Sequence, residues 1–287
     1  MSTFAADIDA AALAALADEL ALEAKPGLVT PSSRGSHDDM DHRHFTASIA
    51  ALTGYFGDCA RLAAAGAGFD ALRARGVEAE AAMLAATGGI NTHRGAIFTL
   101  GLLAAAAGIQ TRAGRALSVD RLGELVAHEW RAAIVAAALD APPSNGRRVR
   151  AALGLPGARE HAAGGLPLLF DITLPALRHA RAALGDTPAA SLHALMSTVA
   201  VLPDTTLAHR GGRSGLARAR LAANRFLNDG SVFAPLWRER LAEIGADFVA
   251  HRLSPGGSAD LLAAAMMLLR LEGLCVRPAQ RAEALAS

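Results

Sequence analysis

The segment TGGINTHRGAIFTLGLLAAAA, from Thr87 to Ala107, decides the fold. Its first six residues include two glycines, an asparagine and two threonines, which favour a turn. The residues from His93 onward are mostly apolar or strong helix formers, and Asn91 or Thr92 can cap the helix they form. The segment therefore predicts a glycine-rich turn that opens an apolar helix from about His93 to Ala107.

The rest of the 287-residue chain has the same character. It is 52% hydrophobic but only 4% aromatic, and alanine and leucine dominate it. Alanine and leucine favour helices, whereas the β-branched and aromatic residues that favour strands are sparse. With no internal repeat and no linker composition, the sequence predicts one all-α domain over residues 1–287, with glycine-rich turns at helix N-termini.

Capping residues and apolar spacing predict the other helices. The first runs from Asp7 or Asp9 to about Ala24, and another carries the apolar stripe of Phe45, Ile49, Leu52 and Phe56. Residues 141–165 are rich in proline, glycine and arginine, which indicates an irregular segment that is either an ordered functional loop or only a long connection. The remaining predicted helices cover residues 119–140, 171–185, 188–201, 214–229, 232–251 and 258–272.

Charge and cysteine content exclude several classes of function. The chain has 28 basic and 27 acidic residues, so no overall field favours nucleic acid or an anionic membrane. Cys59 and Cys275 are too far apart in sequence for a zinc motif. The N-terminus lacks a basic leader, and the longest apolar stretches fall short of the ~20 residues that span a bilayer. We therefore expect a cytoplasmic protein with no nucleic-acid or membrane partner.

The run HDDMDHRH, from His37 to His44, concentrates acids and imidazoles where a loop becomes a helix. If the helix begins near Asp38, then His37, Asp41 and Phe45 share one face, and Asp41 needs a partner. Mg²⁺ prefers one or two carboxylates together with phosphates, which makes Asp39 and Asp41 candidate ligands. The alternative is that these acids only cap the helix.

Two glycine-rich turns precede apolar helices, at Gly88–Arg94 and at Ser254–Ser258. Backbone N–H groups at such turns bind phosphates, and Arg94 adds a positive charge. Neither turn matches the Walker consensus, so a conventional kinase is not expected. The alternatives are ordinary caps and, for His93, a core histidine. The run DTTLAHRGGR from Asp204 to Arg213 has two interpretations. It is either a second site for a metal ion or phosphate, or the solvent-exposed end of a helix.

Six of these runs, taken in order, resemble the triphosphoribosyl-dephospho-CoA synthase family from about Glu23 to Leu262. The runs are KPGLV at Lys25 to Val29, GSHDDMD at Gly35 to Asp41, TGGINTHRGAIFTLGLL at Thr87 to Leu103, GAREHA at Gly157 to Ala162, DT at Asp204 to Thr205, and SPGGSADLL at Ser254 to Leu262. Three positions depart from the family's pattern. Arg94 stands where a lysine is common, His161 where a glutamate is frequent, and Asn145 where the family has a histidine.

The resemblance implies a transferase that joins ATP to 3′-dephospho-CoA and releases adenine. It implies Mg²⁺ at Asp39, Asp41 and Asp204, and catalytic roles for Asp41, His37 and His93. The residues expected to bind ATP or dephospho-CoA are Lys25, Gly88, Gly89, Asn91, Thr92, Arg94, Arg159, Glu160, Arg210, Ser254, Gly256, Gly257 and Ser258.

The sequence VTPSSRGSHDDMDHRHF resembles the branch of the family that serves malonate decarboxylase more than the branch that serves citrate lyase. On this reading, a separate transferase passes the product to the acyl-carrier subunit. The alternatives are the same reaction for citrate lyase, a magnesium-dependent ribosyl hydrolase, and a non-catalytic helical protein that binds nucleotides.

Overall fold

The computed structural model describes residues 2–112, 116–139 and 152–286, and every regular element in these ranges is helical. This confirms the predicted all-α fold. The α-helices are α1 (Ser2–Ala21), α2 (His42–Ala51), α3 (Tyr55–Ala64), α4 (Phe69–Ala86), α5 (Arg94–Arg112), α6 (Leu122–Leu139), α7 (Ala158–Ala163), α8 (Leu174–Leu184), α9 (Pro188–Val201), α10 (Thr205–Asn228), α11 (Trp237–Ala250) and α12 (Gly256–Ala286). Short 3₁₀ turns at Val119–Arg121 and Ser231–Phe233 and a π-helical turn at Leu169–Thr173 join some of them.

Helix α5 lies at the centre of the core. It packs most extensively against α3 and also contacts α4, α6 and α12. In the described ranges α5 is the one helix long and apolar enough to cross a membrane, with 67% of that stretch buried inside the fold. The expectation that every apolar stretch is too short was therefore wrong for α5. Neighbouring helices cover most of its apolar surface, as expected for a helix in the core of a protein.

Helix α12 connects two groups of helices. It packs against α1 and α5 and also against α8, α9 and α10. Its N-terminal half is almost entirely apolar, and residues 261–268 are all buried. A helix that is apolar around its whole circumference is expected to be surrounded by other helices.

Glycine permits the close approach of α5 to α3. A Cβ on Gly108 would lie 2.2 Å from the carbonyl oxygen of Ala60, so the Gly108→Ala variant must push the two helices apart. We expect it to lower the free energy of unfolding by about 1–3 kcal/mol, as overpacked cores do. Urea unfolding measures the change. Gly273→Ala is the matched control, because nothing lies within 4 Å of its added Cβ; it should leave stability equal or slightly higher.

Several predicted boundaries were wrong. The stripe from Phe45 to Phe56 belongs to two helices, since Gly54 adopts a left-handed φ of 87° between α2 and α3. The first helix ends at Ala21, and α4 was not predicted at all. Asp9 does not cap its own helix: its carboxylate accepts hydrogen bonds from the backbone N–H groups of Gly54, Phe56 and Gly57 at the start of α3.

Two other regions differ from the prediction. Part of the expected irregular connection, residues 158–163, is helix α7. Helix α10 begins at Thr205, with Asp204 as its N-cap, rather than near residue 214, and it is kinked at Gly212, whose φ is 63°. The earlier start matters, because it places the N-terminus of α10 beside those of α5 and α12.

Candidate functional site

Asp204 joins the N-termini of α10 and α12. Its Oδ1 accepts the backbone N–H groups of Thr206 and Leu207 at 2.8 and 3.3 Å, and its Oδ2 accepts the N–H and hydroxyl of Ser258 at 2.9 and 3.1 Å. The residue is 1% exposed. Burial raises the pKa of this carboxyl group, while the hydrogen bonds oppose the rise. The carboxylate thus occupies the anion-binding position of two helix N-termini at once.

Asp260 joins α12 to α5 in a similar way. A Cβ on Gly95 would lie 2.0 Å from its Oδ2, so only glycine lets this carboxylate sit against the start of α5. The backbone N–H of Ala96 lies close enough to this carboxyl group to lower its pKa. Burial, followed by the negative charges of Asp204 and Glu19, raises the pKa of Asp260 well above its usual range. Three helix N-termini therefore meet around two carboxylates.

A cleft opens beside these two carboxylates. Its volume is about 60 Å³, and apolar residues form most of its walls. The polar groups that line it are Asp204, Asp260, Thr99, Thr205 and His161. An apolar cleft with a few convergent polar groups is the usual form of a small-molecule site.

A buried ion pair lies under this region. The Lys25 ammonium donates to Glu19 Oε1 at 2.7 Å and to the Glu19 carbonyl oxygen at 2.6 Å, and both side chains are at least nine-tenths buried. The charge of Lys25 lowers the pKa of His93, and that of Glu19 raises the pKa of Asp260. The sequence prediction included Lys25 and His93 but not Glu19 or Asp260.

His93 is a buried, neutral imidazole. Its Nδ1 lies 2.7 Å from the Ser48 hydroxyl, its ring meets Phe45 edge-on, and Nε2 has no hydrogen-bond partner among the described residues. Burial, with a smaller effect of Lys25, lowers its pKa to about 3. These contacts fit the core-histidine interpretation, and the predicted catalytic role remains a prediction.

The pKa of His93 predicts a pH dependence of stability. As the pH falls below about 6.5, the unfolded chain binds a proton that the folded chain excludes. The contribution of the neutral His93 side chain to the free energy of unfolding is therefore fully present above that pH. It is lost as the pH falls towards 3, by up to about 1.4 kcal/mol per pH unit. Urea unfolding at pH 7 and pH 5 should show a shallower decline for His93→Gln than for the parent protein. The exposed His128→Gln should leave the decline unchanged; an equal effect of both variants contradicts the prediction.

The loop before α2 brings three predicted residues together. His37 Nε2 lies 2.9 Å from the Ser254 hydroxyl, and the Arg210 guanidinium contacts the His37 ring and donates to the Ser36 carbonyl oxygen. Burial, then the charge of Arg210, lowers the pKa of His37. The Asp39 side chain is 64% exposed, with Oδ1 3.7 Å from His37 Nδ1. The GSHDD loop, Arg210 and the SPGGS turn thus form one surface.

Asp41 is the N-cap of α2, which begins at His42 and not near Asp38. The predicted shared face with His37 is therefore absent. The carboxylate accepts hydrogen bonds from the backbone and side chain of Arg43. It also contacts the imidazole ring of His44 and the guanidinium group of Arg34. Arg43, with help from His44, holds the pKa of the Asp41 carboxyl well below its usual range. This geometry favours the capping interpretation over general-base catalysis.

The Gly88–Arg94 turn is open to solvent. Gly88 and Gly89 adopt left-handed φ values of 65° and 89°, with nothing within 4 Å of an added Cβ. Asn91 Oδ1 accepts the Arg94 N–H at 3.2 Å, which confirms the predicted cap. Arg94 is half exposed and pairs with Glu80. The turn and Arg94 are accessible to an anionic ligand.

The other predicted binding residues lie in different surroundings. Ser254 and Ser258 are at most 1% exposed, and their hydroxyls bond to His37 and Asp204, so a ligand would have to displace those contacts. Gly256 and Gly257 are partly exposed at the start of α12. Thr92 has a buried hydroxyl without a partner among the described residues.

Three predicted positions fall in or near the central connection. Arg159 donates to the Ala137 carbonyl oxygen at 2.9 Å, and Glu160 accepts the Gly157 N–H at 3.0 Å, so both help to hold α7 in place. Asn145 lies outside the described residues. His161, which departs from the family's usual glutamate, lines the cleft.

No group of three or more metal-ligating side chains occurs in residues 2–112, 116–139 and 152–286. The predicted ligands Asp39, Asp41 and Asp204 are separate. Asp41 and Asp204 already accept several hydrogen bonds each, whereas Asp39 is exposed beside the SPGGS turn. Because Mg²⁺ binds through one or two carboxylates plus phosphate oxygens and water, Asp39 fits the ion best.

A family model described as ATP:dephospho-CoA triphosphoribosyl transferase matches residues 5–277. Curated relatives are named "probable 2-(5''-triphosphoribosyl)-3'-dephosphocoenzyme-A synthase". One from Acinetobacter calcoaceticus is 38% identical over 95% of this chain and 93% of its own. Others from Azotobacter vinelandii and Pseudomonas aeruginosa are each 40% identical, over 93% and 91% of this chain and 92% and 89% of theirs. No solved structure matches the chain.

Proposed function

The chain belongs to the ATP:dephospho-CoA triphosphoribosyl transferase family, and from this membership we propose that it forms 2′-(5″-triphosphoribosyl)-3′-dephospho-CoA and adenine from ATP and 3′-dephospho-CoA. The observation that carries the proposal is the family match over residues 5–277, together with relatives that align along nearly their whole length. The protein is accordingly an enzyme and a transferase.

The reaction moves one ribosyl group. The 2′-hydroxyl oxygen of dephospho-CoA forms a bond to C1 of the ATP ribose, the bond from C1 to adenine breaks, and the hydroxyl proton passes in net terms to adenine. Positive charge develops on the sugar as the bond to adenine breaks, and nearby carboxylates stabilise it. Asp204 and Asp260 line the cleft, and a positive charge developing on a sugar bound there would itself favour their ionised forms.

The triphosphate needs a separate, positively charged surface. The open Gly88–Arg94 turn and the surface of the GSHDD loop, Arg210 and the SPGGS turn offer backbone N–H groups and arginines. We place Mg²⁺ at Asp39, where it would neutralise and orient the phosphates. His37, Asp41 and His93 remain proposed catalytic residues, with His37 best placed of the three because it faces the exposed acids and Arg210.

A second, more specific proposal concerns which enzyme receives the prosthetic group made from the product. The similarity of VTPSSRGSHDDMDHRHF to the malonate decarboxylase branch supports a cytoplasmic enzyme whose product reaches that acyl-carrier subunit through a separate transferase. Deleting the gene in its own host should remove the prosthetic group from the malonate decarboxylase carrier, as measured by intact mass. A carrier that keeps the group, with citrate lyase losing it instead, would favour the other branch.

Acceptor dependence separates the transferase from its rivals. With ATP and Mg²⁺ alone, we expect almost no adenine release until 3′-dephospho-CoA is added. Chromatography measures the free adenine. Equal release without the acceptor would favour the ribosyl hydrolase. Tight binding of magnesium–ATP with no release under either condition would favour a non-catalytic nucleotide-binding protein.

A further inference from the structure

The cleft beside Asp260 contains polar groups that the fold leaves without partners. Thr99 is 4% exposed, yet no described residue forms a hydrogen bond with its hydroxyl. His161 Nε2 is inaccessible to solvent and also has no partner among the described residues. Buried polar groups are nearly always hydrogen-bonded, so the unpartnered His161 nitrogen, with the Thr99 hydroxyl group lining the same cleft, indicates a ligand that supplies the missing bond.

The charges in the cleft restrict the chemistry of that ligand. Two carboxylates line it, and no arginine or lysine is among its described lining residues. None of the ion pairs in residues 2–112, 116–139 and 152–286 involves Asp204 or Asp260. The described lining therefore offers a triphosphate no cationic partner. Burial lowers the pKa of His161, so the imidazole also brings no positive charge at neutral pH.

The arrangement of donors and acceptors matches a pair of sugar hydroxyls. Asp204 already accepts four hydrogen bonds, whereas among the described residues only the backbone N–H of Ala96 approaches the Asp260 carboxyl group as a donor. A hydroxyl can donate to the Asp260 carboxylate and accept from Thr99, and an acidic side chain is a common partner of a ribose hydroxyl in nucleotide sites. The Leu and Pro walls suit the carbon face of the sugar.

The geometry points to a ribose subsite in this cleft, in which Asp260 and Thr99 bind the vicinal hydroxyls of a nucleotide and His161 contacts the same sugar. The inference rests on the proposed function for the identity of the two nucleotides, since both ATP and 3′-dephospho-CoA carry a free ribose diol. Asp260 and Thr99 are ligand-binding residues in this scheme, and phosphates bind elsewhere.

Binding measurements test the subsite without turnover. Isothermal titration calorimetry would give the Kd of ATP, of 2′,3′-dideoxy-ATP and of 3′-dephospho-CoA, each with Mg²⁺, for the parent protein and for Asp260→Asn and Thr99→Val. If the ATP ribose occupies the cleft, the parent should prefer ATP over the dideoxy analogue by about tenfold or more, and both variants should lose that preference. If the acceptor ribose occupies it, the preference should persist while the Kd of 3′-dephospho-CoA rises about tenfold.

Asp9→Asn is the matched control, because Asp9 is also a buried carboxylate that caps a helix but does not line the cleft. It should leave all three Kd values unchanged. Thr99→Val keeps the side-chain shape, so it remains informative if Asp260→Asn does not fold. Unchanged nucleotide binding in the variants, or a loss of Mg²⁺ binding alone, overturns the inference. The protein could prefer ATP over the dideoxy analogue through Thr99 and yet release no adenine. That result would support the ribose subsite and contradict the proposed function.

Discussion

Lys25→Met should lower the free energy of unfolding by about 3–5 kcal/mol, the usual loss when one partner of a buried ion pair is removed. The substitution keeps the length of the side chain but leaves the Glu19 carboxylate buried at 8% side-chain exposure without its cation. The variant also removes the donor to the Glu19 carbonyl oxygen. Urea unfolding followed by helical circular dichroism measures the effect.

Two further variants make the result specific. The double variant Glu19→Gln with Lys25→Met should recover much of the loss, because it no longer buries an unpaired charge. Arg218→Met breaks the exposed pair of Arg218 and Asp247 and should cost less than about 1 kcal/mol. A Lys25→Met variant as stable as Arg218→Met would show that the Glu19–Lys25 pair is not the buried contact described above.

Asp204→Ala should reduce kcat/KM about 100-fold or more and lower the free energy of unfolding by about 3 kcal/mol. The stability loss combines a missing N-cap with the unsatisfied N–H and hydroxyl of Ser258. The loss of activity follows because Asp204 positions α10 against α12 beside Asp260, and displacements of about 1 Å in a site have effects of this size. Adenine release under steady-state conditions measures the rate.

Asp9→Ala separates the two effects of that substitution. It removes a carboxylate that caps α3 through three backbone N–H groups, so it should lower stability comparably. It should retain nearly full turnover at a temperature where it is folded. If both variants lose activity in proportion to stability, the cleft beside Asp204 is not the site of reaction.

The sequence predicts the helical core well where the local signal is strong. The glycine turn before α5 and its Asn91 cap are present, and α9 spans the predicted residues 188–201. It fails where one residue outweighs a periodic pattern, as at Gly54, which divides the Phe45–Phe56 stripe. It also cannot show that Asp9 caps α3, because that contact joins residues 45 positions apart.

The candidate site was predicted only in part for a similar reason. The motifs identify Asp204, Arg210, His37 and Ser254, and the fold brings the last three together. Glu19 and Asp260 acquire their significance from burial against other helices, which no local pattern reports. The SPGGSADLL run does contain Asp260, but its spacing in the sequence does not indicate that the side chain is buried against the start of α5. For Asp41 the sequence left two interpretations open, a metal ligand and a helix cap, and the structure shows the cap, while the catalytic role stays a prediction.

The most direct test of the central claim is the mass of the acceptor after reaction. Purified protein, Mg²⁺, 3′-dephospho-CoA and ATP carrying ¹³C in its ribose would be incubated, and the products analysed by mass spectrometry. The proposed activity predicts that the acceptor gains one labelled triphosphoribosyl group for each free adenine released. Labelled ribose triphosphate in solution with an unchanged acceptor, or an acceptor that gains only phosphate, would contradict it.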